Sequence, residues 1–194
     1  MSSNRLFVLS LLDMHGPMHG HQIRLKAQED RTQLWTDIAP GALYGVLGRL
    51  QREGLIEAVR TERQGNYPER VVYAITPDGV RALAAVRDYT LRTVQDAFDP
   101  FDLALAHTGP IKEERLATMI RNRLDELRVR RNVLEHQRES SAPWLNMADT
   151  QVLLHVIMRL EADIAWHESV LDHVPAIARE SQEPQPGDKP KDLA

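Results

Sequence analysis

Three histidines near the start of the chain, His15, His19 and His21, carry side chains that can bind a metal ion. A zinc or nickel site needs a third or fourth ligand and hydrogen-bonding groups that orient the imidazole rings. The sequence contains no cysteine that would complete such a set. We therefore predict that these histidines form no metal site and that the protein carries no cofactor.

The sequence also lacks the motifs of common catalytic sites. It has no glycine-rich phosphate loop, no Gly-x-Ser-x-Gly turn and no His-Glu-x-x-His helix. Acidic residues such as Asp13 and Asp37 show no spacing that would pair them for acid–base catalysis. We predict that the protein has no catalytic residues and is not an enzyme.

Composition and charge restrict the class of partner. Hydrophobic residues make up 42% of the 194 residues and aromatic residues 5%, which favours an aliphatic, helical core. Residues 1–85 carry 10 Lys and Arg against 9 Asp and Glu, so a general basic excess for nucleic-acid binding is absent. Any contact with DNA must come from a few well-placed side chains. Without cysteine, a signal peptide or a long apolar run, we expect a cytoplasmic protein with no membrane partner.

Residues 41–53 have the periodicity of a helix with two different faces. Leu43, Val46, Leu47 and Leu50 share one side, and Gly41, Gly45, Gly48 and Arg52 lie opposite, flanked by Tyr44, Ala42 and Arg49. Interior helix glycines cost about 1 kcal/mol each relative to alanine, so their presence calls for a reason. A strip of the helix surface without side chains would let the helix approach the major groove closely while Tyr44 and Arg49 reach bases or phosphates. The alternative is that the glycines have no role on a solvated face.

A hairpin follows this helix. Residues 55–61 and 71–75 are rich in β-forming side chains, and the segment between them is too long for a tight turn. Arginines on such a wing can contact phosphates or the minor groove, although Glu62 and Glu69 offer them ion pairs instead. The predicted DNA-binding residues of the helix and the wing are Pro40, Gly41, Ala42, Tyr44, Gly45, Arg49, Arg52, Arg63, Gln64, Asn66 and Arg70.

The helices and strands predicted for the first half of the chain follow one another in a recognisable order. Helices are predicted over 4–14 and 19–29 and from Pro40 onward, followed by the hairpin. Thr76-Pro77-Asp78 has the cap, proline and acid of a helix start, and that helix can run to about Phe98. Three helices followed by a hairpin predict a winged helix-turn-helix domain.

The sequence of the second half of the chain predicts two long helices. The first covers about 112–138, and the second runs from about Met147 to Val174. The second helix has an apolar seam over about three heptads. We expect the seam to join two copies of the chain, because one helical pair buries too little of this surface; the alternative is packing within one protomer. The predicted dimerisation residues of the seam are Leu153, Ile157, Leu160, Ile164, His167 and Leu171.

The predicted fold class is mainly α, with a winged helix-turn-helix domain and small β-hairpin wing followed by a helical dimerisation domain. We place the DNA-binding domain at 1–85 and the helical dimerisation or effector domain at 86–178. The tail over 179–194 is rich in proline and lacks aromatic residues, which predicts disorder.

Four stretches of the first 85 residues, taken together, resemble the PadR family of transcriptional regulators. They are His-Gly-His-Gln-Ile at 19–23, Ala-Pro-Gly-Ala-Leu-Tyr at 39–44, Leu-Gln-Arg-Glu-Gly-Leu-Ile at 50–56 and Tyr-Ala-Ile-Thr-Pro-Asp-Gly at 73–79. The resemblance implies a winged-helix domain, a homodimer built on C-terminal helices and, usually, repression of nearby genes that a small molecule relieves. It also implies that Tyr44 and the start of its helix read DNA.

The chain departs from the family's pattern in places. His21 stands where tyrosine is usual, Ala39 and Ala42 replace hydroxyl residues, and Gly45 stands where proline is common. The missing hydroxyls remove a helix cap and phosphate contacts, which bears on the operator sequence more than on the activity.

We therefore expect a sequence-specific, ligand-responsive repressor that acts as a homodimer on double-stranded operator DNA. The alternative is a winged helix that docks onto proteins, which would show no sharp salt dependence on duplex DNA. A small-molecule effector is expected, and the sequence does not identify it. Trp35, Trp144 and Trp166 are candidates for stacking on a flat aromatic effector, but we favour core anchoring for them.

Overall fold

The computed structural model describes residues 3–32, 36–63, 69–94 and 98–182, and the chain divides into two compact units, 1–96 and 97–194. The described residues are mainly helical, with a small antiparallel sheet in the first unit. This confirms the predicted fold class of a winged helix-turn-helix followed by a helical region. The predicted domain boundary at residue 85 falls inside a helix, and residues 183–194 of the predicted disordered tail lie outside the described residues.

The first unit is built around an aliphatic core to which most of its elements contribute. Its described elements are α1 (Ser3–His15), β1 (Met18–His19), α2 (Gly20–Glu29), a 3₁₀ turn (Pro40–Ala42), α3 (Leu43–Arg52), β2 (Ile56–Glu62), β3 (Arg70–Ile75) and α4 (Pro77–Arg92). Helix α1 packs against α3, α4 and β3. Its Leu9 and Leu12 join Ile23 of α2 and Leu43 and Leu50 of α3 in one fully buried cluster.

The sheet differs from the predicted hairpin in having a third strand. Strands β2 and β3 pair as predicted, with an irregularity between Ala58 and Arg60. The added strand β1 pairs with the other edge of β3, with His19 opposite Val72. A strand of two residues is too short to show alternation, so its sequence carried no signal for it.

A tight junction joins the end of α3 to the start of α4. Gly54, at a φ of +71°, ends the helix in the left-handed region that favours glycine. Beyond it, the Thr76 hydroxyl donates to the Gly54 carbonyl at 2.8 Å, and the Thr76 amide donates to the Leu55 carbonyl at 3.0 Å. A Cβ built on Gly79 would overlap that Leu55 oxygen and lie 2.7 Å from Cγ1 of Ile75. The start of α4 can lie this close only because position 79 has no side chain.

The second unit is a helical hairpin. Its described elements are α5 (Pro100–Ala106), α6 (Glu113–Ser141), a 3₁₀ turn (Ala142–Trp144) and α7 (Met147–Glu180). Helix α6 packs against α7, with Leu116, Ile120 and Leu124 of α6 and Ile164 and Val174 of α7 in one buried cluster. A capping box of Asn146 and Asp149 starts α7.

Two helix predictions were wrong in extent, and one helix was missed. Helix α4 ends at Arg92 and not near Phe98, and α5 was not predicted. Helix α7 continues through Pro175 to Glu180 and not to Val174. Proline inside a helix removes one backbone hydrogen bond, but here the helix continues past it and buries Ala178 in the following turn. Among the described helices, none is both long and apolar enough to cross a membrane.

Candidate nucleic-acid interface

Helix α3 separates a buried face from an exposed one, as its periodicity indicated. Leu43, Val46, Leu47 and Leu50 are buried in the core of the first unit. We call the opposite side the reading face, and it consists of the exposed residues Gly41, Ala42, Tyr44, Gly45, Gly48, Arg49 and Arg52. The start of this region has no side-chain cap at Ala39, in agreement with the loss of a hydroxyl there.

Packing does not explain the glycines of the reading face. A Cβ built on Gly41, Gly45 or Gly48 would meet no atom within 4 Å. None of the three has a positive φ, so the backbone does not require glycine either. Alanine would fit at each position and would favour the helix. What the glycines provide is a surface that a partner can approach closely from outside.

Tyr44 forms one wall of a cavity of about 370 Å³ beside the reading face. Its side chain is 52% exposed and lies against the first turn of α2. The cavity is polar on several sides, which suits a charged or hydrogen-bonding partner. Its lining residues are His19, Gly20, His21, Tyr44, Leu47, Glu69, Arg70, Val71 and Tyr73.

The start of α2 carries histidines with different roles. His19 caps the helix, because its Nδ1 accepts from the Gln22 amide at 3.1 Å while its own amide donates to Gln22 Oε1 at 3.0 Å. This nitrogen is therefore occupied in helix capping. The pKa of His21 is lowered by partial burial and then by the positive charges of Arg70 and Arg24 and by His19. Arg70 and Arg24 therefore act as positive charges on His21 at the start of α2.

The arginines of the wing differ in their partners and in their exposure. Arg60 pairs with Glu62 at 2.6 Å, so this glutamate has a partner within its own strand. Arg63 is exposed at the end of β2, and Arg70 lines the cavity. Gln64 and Asn66, predicted to contact DNA, lie outside the described residues, as do Trp35 and the side chain of Pro40.

Arg49 and Arg52 differ in how they leave the reading face. The Arg52 side chain folds back along α3, where its Nε donates to the Gly48 carbonyl at 3.2 Å. Arg49 is exposed one turn after Gly45. Of the two predicted arginines, Arg49 is better placed to extend outward.

The predicted dimerisation seam is buried within the single protomer. Leu153, Ile157, Leu160, Ile164 and His167 are buried, and Leu171 is partly buried. Packing of α7 against α6 accounts for burial at Ile164 and Leu171. Association of two copies, which stays a prediction, therefore needs side chains other than those of the seam.

A polar and aromatic cluster in the second unit was not predicted. His167 is 3% exposed, and its Nε2 accepts from Arg123 Nε at 2.8 Å while its Nδ1 lies 2.7 Å from the Asp163 carbonyl. Arg123 also pairs with Asp99 and lies over the Phe101 ring. These residues come from three separate helical segments, and no local pattern connects them.

The structure also corrects the expectation that the tryptophans anchor the core. Trp144 is 81% exposed, so the expectation of a core anchor was wrong for it. Trp166 is partly exposed and meets Phe101 edge-on, with ring centroids 5.8 Å apart. The 3₁₀ turn that carries Trp144 lies at the bend of the hairpin, between α6 and α7.

Comparison with known proteins identifies the first unit. Residues 8–85 match the model of the transcriptional regulator PadR-like family, which confirms the resemblance drawn from the four motifs. This part of the chain is therefore similar in sequence to the PadR-like family. Sequence comparison with curated proteins gives no significant match.

Solved structures share the fold over both units. Bacillus subtilis PadR in complex with operator DNA is 22% identical, with a TM-score of 0.71 over 90% of this chain and 98% of that chain. The same protein in complex with p-coumaric acid is 19% identical, with a TM-score of 0.67 over 88% and 98%. The Vibrio cholerae virulence activator AphA is 20% identical, with a TM-score of 0.69 over 91% and 100%.

Proposed function

We propose that the chain is a transcriptional regulator that binds operator DNA as a homodimer and represses transcription until a small molecule binds. The observation that carries the proposal is the reading face of α3. This face is exposed, and its three glycines leave a strip without side chains between Tyr44 and Arg49. The similar fold of Bacillus subtilis PadR, which was solved with operator DNA, supports this role.

In this proposal α3 lies in the major groove and the wing contacts the backbone. The glycines bring the helix axis close to the base edges, and Tyr44 and Arg49 reach bases or phosphates on either side. Arg63 and Arg70 contact phosphates from the wing. The near-neutral charge of the first unit means that these few contacts supply most of the electrostatic attraction.

The homodimer rests on apolar side chains that the hairpin leaves exposed. Along α6 and α7 these are Val129, Val133, Val152, Met158 and Trp166. Exposed apolar side chains are typical of interaction sites where they form one contiguous patch, which this proposal requires of these five. A C2 dimer would cover it and place two reading faces on two half-sites of one operator.

The effector and the direction of regulation rest on the relatives. Bacillus subtilis PadR was solved with p-coumaric acid, which supports a small-molecule effector for this chain, although the compound need not be the same. AphA is a virulence activator, so a reporter gene must separate repression from activation. We propose that the chain acts in the cytoplasm, where it binds DNA. We propose no catalytic activity for it.

Selection of bound duplexes from random DNA with the full chain tests the proposal. We expect enrichment of a two-fold symmetric sequence, and binding that weakens steeply as salt rises because phosphate contacts release counterions. No enriched sequence and no salt dependence would instead favour a winged helix that docks onto proteins.

Removing either flanking side chain of the reading face is expected to weaken operator binding. Tyr44→Ala and Arg49→Ala should each cost about 1–3 kcal/mol, because each removes a contact to a base or phosphate. Fluorescence anisotropy with the selected duplex measures the loss. Tyr89→Ala, which removes an exposed tyrosine from α4, is the matched control and should bind normally. Wild-type affinity in both reading-face variants would exclude this face.

Operator affinity is expected to rise as the pH falls below the ordinary histidine pKa of about 6.5. The pKa of His21 is lowered in the free protein, so the ring is neutral there at pH 7. A nearby phosphate favours the protonated ring, and binding then takes up a proton. The charged groups that act on the ring are those of Arg70, Arg24 and His19, and Tyr44, Glu69 and Tyr73 line the same cavity.

Anisotropy titrations at constant ionic strength check this dependence. The increase in affinity should disappear in His21→Gln and persist in His15→Gln, since His15 is exposed at the end of α1 and outside the cavity. If His21→Gln keeps the wild-type pH profile, His21 contacts no phosphate.

A further inference from the structure

Gly20, the first residue of α2, lies directly against the ring of Tyr44. A Cβ built on Gly20 would be 2.7 Å from Cε1 and 3.0 Å from Cδ1 of Tyr44, and 3.0 Å from Cδ1 of Leu47. Carbon atoms in contact are normally about 3.5–4.0 Å apart. A side chain of any size at position 20 therefore requires one of these neighbours to move.

The burial of the two neighbours decides which one moves. Leu47 is 2% exposed and is held in the core of the first unit. Tyr44 is 52% exposed, so its ring can swing outward into solvent. An added methyl group would displace the tyrosine rather than the leucine.

The backbone offers no other reason for glycine at position 20. Gly16 and Gly54 have φ values of +77° and +71°, which side chains other than glycine rarely adopt. Gly20 has no positive φ and begins a helix whose cap is supplied by His19. Alanine is compatible with this backbone and favours helix. The specific contribution of the glycine is therefore space for the tyrosine ring.

We propose that Gly20 is a positioning residue for DNA recognition, which fixes the place of the Tyr44 ring by leaving it room against the first turn of α2. The inference rests on the proposed function, because Tyr44 is taken to contact DNA. It assigns part of the specificity of α3 to a residue of α2 that makes no contact of its own through a side chain. The ring, packed on the glycine, presents its hydroxyl in one direction.

The displacement that alanine causes is large on the scale of a hydrogen bond. Restoring a normal contact from 2.7 Å requires a shift of about 1 Å at the ring. Donor and acceptor in a good hydrogen bond lie within about 2.7–3.2 Å, so a shift of this size breaks it. We therefore expect Gly20→Ala to weaken binding to the selected duplex by about tenfold, within the range expected for Tyr44→Ala.

A double-mutant cycle separates positioning from a merely structural role. If Gly20 acts through Tyr44, adding Gly20→Ala to Tyr44→Ala should weaken binding no further, because the ring that it displaces is absent. Additive losses in the double variant would overturn the proposal. Gly109→Ala, another glycine without a positive φ and with open space around its Cβ, controls for the general effect of the substitution and should bind normally.

A second measurement does not depend on DNA. The chemical shifts of the Tyr44 ring protons in the free protein should change in Gly20→Ala and stay unchanged in Gly109→Ala. Unchanged Tyr44 shifts would overturn the positioning claim, whereas changed shifts with wild-type affinity in Tyr44→Ala would locate the failure in the proposed function. If Gly20→Ala does not fold, recovery of folding on adding Tyr44→Ala supports the ring contact, and continued unfolding contradicts it.

Discussion

A glutamate at position 164 is expected to unfold the helical hairpin of the second unit and to abolish operator binding. Ile164 is 9% exposed and packs among Leu116, Ile120 and Leu124 of α6. A carboxylate there has no partner, and a buried charge without a partner costs several kcal/mol. In the proposed homodimer, loss of the hairpin would separate the two winged helices, and binding to a second half-site would lose its intramolecular advantage.

Circular dichroism and sedimentation of the full chain measure this outcome. We expect Ile164→Glu to lose helix content corresponding to α6 and α7 and to sediment as a monomer or as mixed aggregates, while the first unit keeps its own core. Ser169→Glu places the same charge on an exposed position of α7 and should behave as wild type. Normal helix content together with an unchanged unfolding midpoint in Ile164→Glu would contradict this expectation.

Alanine at position 79 is expected to be the most damaging small substitution in the first unit. Its methyl group would overlap the Leu55 carbonyl oxygen and press on the Ile75 side chain, and the carbonyl cannot move without shifting the backbone. That carbonyl also accepts from the Thr76 amide, so the clash disturbs the start of α4. We expect a loss of about 3 kcal/mol or more in the free energy of unfolding, at the upper end for a single substitution.

Thermal unfolding gives the measurement and Gly48→Ala the matched control. At about 4–8 °C per kcal/mol for a domain of this size, Gly79→Ala should lower the unfolding temperature of the first unit by about 10 °C or more. Gly48 is also a helix glycine, but nothing lies within 4 Å of its Cβ, so alanine there should stabilise the helix by up to about 1 kcal/mol. Equal unfolding temperatures for Gly79→Ala and the wild type would show that the junction relaxes easily.

The two faces of α3 could be predicted from the sequence because helical periodicity alone determines which residues share a side. The burial of Leu43, Val46, Leu47 and Leu50 follows directly from it. The runs of β-forming residues likewise predicted the wing, and the cap and proline at 76–77 predicted the start of α4, where Thr76 caps the helix. These features are local in sequence, and local patterns carry them.

The features that were missed depend on contacts between distant parts of the chain. Gly20 and Tyr44 are 24 positions apart, so the close approach of α2 to the ring leaves no trace in either motif. The interaction of Arg123 with His167 joins two long helices in the same way. The seam of α7 has a heptad pattern, and such a pattern fits a partner helix in the same protomer as well as one in a second copy.

The short strand β1 has a mechanical consequence for the DNA-binding surface. His19 is hydrogen-bonded into the sheet opposite Val72 and also starts α2 through its capping box. Segments that share hydrogen bonds in this way open together as one cooperative element. The base of the wing and the first turn of α2 are therefore expected to move together as one unit. In the proposed complex with DNA, a tilt of β3 would then carry with it the first turn of α2, against which the Tyr44 ring lies.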